Sequence, residues 1–71
     1  MTHQQIESAR VAHELAAELI AFGGYSAKCV KNELCEQPYQ VNVKCNSDKA
    51  KELQILVCKL LKDDTLNVLE A

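Results

Sequence analysis

The chain predicts an α+β fold in the order helix, strand, strand, helix. An antiparallel hairpin carries two helices on one face, and a short strand ends the chain. Three observations support this. A helical repeat stops at Gly23-Gly24, two alternating segments meet at Gln37-Pro38, and an amphipathic stretch runs on to Leu61. At 71 residues the chain is one domain, 1–71. A domain of that size buries only roughly 60% of its unfolded surface, so its core is thin and a homodimer is the expected state.

The first helix begins at Thr2. Gln5 follows three residues later, so the hydroxyl can accept from a first-turn N–H while the amide reaches back. Ile6, Ala9, Ala12, Ala16, Leu19 and Ile20 recur at helical spacing, with Glu7, Glu14 and Glu18 opposite. Alanines in that stripe allow a close approach to whatever it packs on. Gly23-Gly24 supplies a residue tolerant of positive φ just past Phe22, where the helix should end.

From Tyr25 to about Cys35 the pattern shifts toward period two, and Tyr39 to Cys45 alternates cleanly. Val41, Val43 and Cys45 are expected to face the helices. A turn centred near Gln37-Pro38 sets Leu34, Asn32 and Val30 opposite them. The outer face then holds Cys29, Lys31, Glu33, Cys35, Gln40, Asn42 and Lys44. Slipping the first strand by one residue would exchange its faces.

Asn46-Ser47-Asp48 offers N-caps for the second helix, and Asp48 also suits its dipole. Ala50, Leu53, Leu56, Val57, Leu60 and Leu61 form its apolar stripe, while Ile55 projects among Lys51, Glu52, Lys59 and Lys62. Thr65 to Leu69 is read as a last strand. Strand–helix–strand crossovers are right-handed in about 98% of cases, which returns it parallel to the second strand on that strand's free edge.

Composition is that of an ordinary globular domain, 48% hydrophobic and 25% charged. No apolar run approaches the ~20 residues that span a bilayer. Thr2-His3-Gln4-Gln5 does not resemble the basic and apolar start of a signal peptide. A cytoplasmic protein with no membrane role is expected. The net charge of -2 conceals seven lysines against four acids between residues 28 and 62. That excess is thin beside the dense clusters that dominate phosphate binding.

Four cysteines, Cys29, Cys35, Cys45 and Cys58, are separated by five, nine and twelve residues. None of these gaps gives the close pair of a zinc knuckle. Reduced thiols serving as small apolar groups are expected, with no metal and no cofactor. In the register above, Cys29 and Cys35 face outward and Cys45 inward, against a single four-sulfur site. His3 lies in the first helical turn and His13 at the margin of the first helix's apolar stripe. No convergent partner gives either a catalytic role, and no nucleophile triad, phosphate-cradling loop or paired-carboxylate motif is present. A non-enzymatic protein is expected.

Gly24-Tyr25-Ser26-Ala27, the Tyr39-x-Val41-x-Val43 strand and the Ser47-x-x-Ala50-x-x-Leu53 helix start resemble the later part of sporulation-related-repeat (SPOR) domains. A helix rich in Ala and Leu precedes them, as in that family. The resemblance covers Gly24 to Leu61 and implies a ferredoxin-like strand arrangement. It departs from the family in lacking the first strand and any preceding anchor or export signal. The glycan-binding activity of those extracytoplasmic domains is therefore not carried over. Because the missing strand is central in that order, the hairpin's second strand should show an unpaired edge, to be filled by the tail strand or by another molecule.

These readings converge on a small cytoplasmic interaction protein, homodimeric, that docks a sheet edge or a helix face against a protein partner. It is of the kind that serves phages and mobile elements as accessories or inhibitors. Candidate binding residues are Lys31, Lys44, Gln40, Asn42 and Tyr25 on a polar outer sheet face, with Ile55 on the second helix. The alternative is a nucleic-acid-binding module using the lysines of that face, although it lacks paired aromatics for base stacking. A third is a redox- or metal-linked thiol protein.

Overall fold

The structure, a computed structural model, describes residues 3–31 and 38–71. Its order is α1 (His3–Phe22), β1 (Ala27–Lys31), β2 (Tyr39–Val43), α2 (Ser47–Leu61) and β3 (Val68–Glu70). This is the expected α+β arrangement with its short final strand. The capping role assigned to Thr2 lies outside the described residues.

Both helices stop for local reasons. Gly24 takes φ 97°, the Gly24 N–H donates to Ala21 O at 3.0 Å and the Tyr25 N–H to Ile20 O at 3.4 Å. This pair of bonds around a left-handed residue satisfies carbonyls that the ended helix leaves open. At the start of α2 the Lys49 N–H donates to Asn46 Oδ1 at 2.8 Å, so Asn46 is the N-cap. At its end Lys62 adopts φ 53° and returns its N–H to Cys58 O.

β2 is the middle strand of the order β1-β2-β3. It pairs antiparallel with β1 and parallel with β3, so the tail fills the slot beside β2. The expected unpaired rim of that strand is closed. Val41 N–H donates to Asn67 O at 2.8 Å and Ala71 N–H to Val43 O at 2.9 Å across this parallel seam.

The register of β1 corrects the sequence expectation. Val30 faces Gln40, Cys29 faces Val41 and Ala27 faces Val43, in place of Val30 opposite Cys45. The displacement is by an odd number of residues, so β1's faces are exchanged. Cys29 and Ala27 turn inward against the core, and Val30 shares the outer face with Gln40. Leu34, Asn32, Glu33 and Cys35 lie outside the described residues. The pairing of Lys31 with Tyr39 puts the centre of the hairpin upstream of the expected Gln37-Pro38.

Both helices cover the inner face, where Ala16, Ala17, Ile20, Val41, Val43, Leu53, Val57, Leu66 and Val68 form one buried cluster. Complete burial of a valine or leucine contributes about 1.5–3 kcal/mol. Ala9, Ala16 and Ala17 are the small residues that let α1 lie close to the sheet. They are spent in the core and offer no face to a partner. Among them sits His13, 0% exposed. Its Nε2 accepts the Asn67 N–H at 3.1 Å and its Nδ1 lies 2.7 Å from Ala9 O. A backbone N–H can only donate and a carbonyl can only accept, so the imidazole is the neutral Nδ1–H tautomer. His13 is a core residue, well inside the margin where sequence spacing placed it.

Candidate functional site

The expected polar platform is not assembled as the sequence suggested. Gln40 and Asn42 do share the outer sheet face, with the Gln40 amide donating to Asn42 Oδ1 at 3.0 Å, and Lys44 follows them, exposed. Lys31 pairs with Tyr39 and so falls on the opposite alternation. Tyr25 packs against the core cluster on the helix side, where the Lys49 ammonium lies 5.6 Å from its ring centroid. Tyr25 first, and Glu52 second, favour the charged form of that lysine and raise its pKa. Among the described residues the outer face carries no aromatic ring, since Tyr39 is buried. Ile55 is 69% exposed on the outer side of α2, within about 40° of Lys51, Lys59 and Lys62 around the helix.

The thiols are likewise dispersed. Cys29, Cys45 and Cys58 are free and half-buried, and no metal-capable cluster occurs among the described residues. Burial pushes the Cys29 thiol pKa up, with Glu14 adding to it. Burial likewise raises that of Cys58, aided by Asp64 and Asp63. Both shifts disfavour the nucleophilic thiolate.

The feature that spacing could have revealed is a second apolar stripe on α1. Val11, Leu15, Leu19 and Phe22 are all exposed, Phe22 at 95%. At 100° per residue they fall within about 80° of one another on the helix, opposite the buried His13 and Ile20. Leu19, expected in the core, belongs to this outer stripe. Leu56 and Leu60, also expected inside, are 50% and 59% exposed on the side of α2 that turns toward α1.

The two helices run antiparallel, and together they make one surface. Leu19, Leu53, Leu56 and Leu60 line a groove with Lys49 and Gly23 at one end. Val11, Ala12, Leu15 and Leu61 line a second groove. Seven of the eight large apolar side chains exposed among the described residues, all but Leu69, therefore sit on the two helices. Scattered apolar residues are normal on any surface, whereas these lie side by side along the two helices.

Its two margins differ in charge. Along α1 run Glu7, Glu14 and Glu18 with one cation, Arg10, which bonds Glu7 at 2.9 Å and Glu14 at 3.0 Å. Glu7 first, and Glu14 second, hold its guanidinium firmly protonated. Along the outer side of α2 run Lys51, Lys59 and Lys62 with Asp48 among them, Glu52 is bonded by Lys49 at 3.3 Å, and Asp63 and Asp64 follow the helix end. No described helix is long and apolar enough to cross a membrane. Comparisons with protein-family models, characterised proteins and solved structures find no match.

Proposed function

We propose that this chain is a small, non-enzymatic, cytoplasmic interaction protein that acts as a homodimer, docking its two-helix face against a protein surface. The observation that carries this reading is the outer stripe Val11, Leu15, Leu19 and Phe22. It lies opposite the buried side of α1 and continues onto Leu56 and Leu60. Nothing in the domain's own core requires leucines and a phenylalanine there. Burying them against another protein would remove from water most of the large apolar side chains that the described residues leave exposed. A nucleic-acid role draws no support from the outer sheet face, which among the described residues offers no ring for stacking.

A photo-crosslinking amino acid at position 15, compared with one at position 42 on the outer sheet face, tests the reading in cells. Protein adducts should form at position 15 and be sparse at position 42. Adducts at position 42 alone, or at neither, would sink it.

A further inference from the structure

The anchoring of the last strand depends on one unprotonated ring nitrogen. His13 is fully buried, and its Nε2 accepts the Asn67 N–H at 3.1 Å while its Nδ1–H donates to Ala9 O at 2.7 Å. In the imidazolium both nitrogens carry hydrogen and neither can accept. A proton taken from solvent onto Nε2 would set N–H against N–H, so proton uptake and the Asn67 bond exclude one another. The bond to Ala9 O survives protonation, which keeps the ring on α1 and puts the whole conflict on the Asn67 side.

The segment on that side is short and lies at the rim of the sheet. β3 has three residues and is the edge strand next to β2. Asn67 bonds α1 through its N–H and β2 through its carbonyl, which accepts the Val41 N–H at 2.8 Å. Gln54 of α2 holds the Val68 N–H, and Leu66 and Val68 are buried. Loss of the His13 acceptor therefore strikes the residue through which the tail is joined to both of its neighbours.

Nothing around the ring compensates a positive charge. Tyr39 of β2 stands 6.3 Å away between ring centroids. Cys29 of β1 and Cys58 of α2 border the core, and burial favours the protonated form of both thiols. On α1 itself Arg10 and Glu14 bond each other at 3.0 Å. Beyond α2, Asp63 accepts the Thr65 N–H, and Asp64 and Glu70 are exposed. Among the described residues no carboxylate forms an ion pair with the imidazole.

We propose that His13 is an acid-operated clasp, whose protonation frees residues 66–71 from β2 and bares the edge of the middle strand. The proposal stands apart from the docking reading. At neutral pH each opening recloses on an unprotonated ring. Below about pH 6.5, the ordinary value for an exposed imidazole, the released ring takes a proton and cannot reclose until it gives that proton up.

Native-state hydrogen exchange on the full chain, followed by NMR at pH 7.5 and 5.5 and corrected for the intrinsic rate at each pH, tests it. The Val41 amide, which donates to Asn67 O, should lose about tenfold in protection at the lower pH, the factor set by a released histidine titrating near 6.5. It should also be less protected than the amide of buried Val57 in α2, because the tail opens without the rest of the domain. His13→Gln, neutral at both pH values, should lose the response. His3→Gln, at the other histidine of the chain, should keep it. Val41 protection that is unchanged between the two pH values overturns the proposal, as does protection equal to that of Val57. A response that persists in folded His13→Gln overturns it too. Should His13→Gln fail to fold, His3→Gln decides: a lost response there overturns the proposal, and a retained one leaves His13 as the histidine that titrates.

Discussion

The imidazole Nε2 of His13 accepts the backbone N–H of Asn67 at 3.1 Å, tying the middle of the first helix to the entry of the last strand across 54 residues of sequence. Asn67 is held from both sides, because its carbonyl accepts the Val41 N–H. On the far side of β3, the Val68 N–H donates to Gln54 Oε1 at 3.2 Å. A three-residue strand has few ladder bonds of its own, and these side-chain acceptors supply what the ladder lacks.

His13→Phe keeps the bulk of the ring but leaves the Asn67 N–H without its acceptor in the interior. The expected loss is about 1–3 kcal/mol. His13→Ala adds a cavity and should lose about 2–5 kcal/mol. Urea titrations followed by circular dichroism measure both, and an unchanged midpoint for His13→Phe would contradict the role given to this bond.

Gly24→Ala is expected to destabilise by about 1 kcal/mol although a Cβ there meets nothing within 4 Å. The strain is in the backbone, since φ 97° suits only a residue without Cβ. Thermal melts of this variant should fall below wild type by a few degrees. A neutral result would mean that the helix stop does not depend on Gly24.

Asn46→Ala removes the oxygen that accepts the Lys49 N–H and should cost about 1 kcal/mol. Asn46→Asp should recover most of it. A chemical-denaturation series on the three proteins decides this.

The cysteines give a pH dependence. Folded-state thiol pKa values are raised at Cys29 and Cys58, by burial first in each case. The native state therefore holds these protons more tightly than the unfolded chain. Their contribution to stability is complete below the unfolded thiol pKa, near 8.5, and is lost as pH rises through the folded value. Melting temperature should decline above about pH 8.5, and less so in a Cys29→Val, Cys58→Val double variant. Native alkylation of both thiols should be slower than in urea, as read by mass spectrometry.

Sequence made the element order and both starts and stops of α2 legible, because Asn46, Asp48 and the apolar run from Ala50 to Leu61 act locally. It also showed the end of α1 through Gly23-Gly24, and the parallel tail strand through the crossover rule. The face of β1 was not legible. Val30 is the most apolar residue of that strand and invites an inward assignment, yet Cys29 and Ala27 fill the narrow space beside Val41 and Val43. His13 was hidden because its acceptor role depends on a partner 54 residues away. In α1, the alanine stripe drew attention to one apolar side and away from Val11, Leu15 and Phe22 on the other.

The parallel pairing of β2 with β3 also imposes an order of assembly. Parallel neighbours cannot be joined by a tight reversal, so the last strand reaches the middle one only after α2 has carried the chain back across the sheet. Closing the span from His13 to Asn67 adds a loop entropy of about 3.5 kcal/mol, which places that latch late in folding. Stopped-flow measurements on His13→Phe should accordingly show faster unfolding with refolding nearly unchanged, the kinetic mark of a bond that holds the finished molecule without guiding its formation.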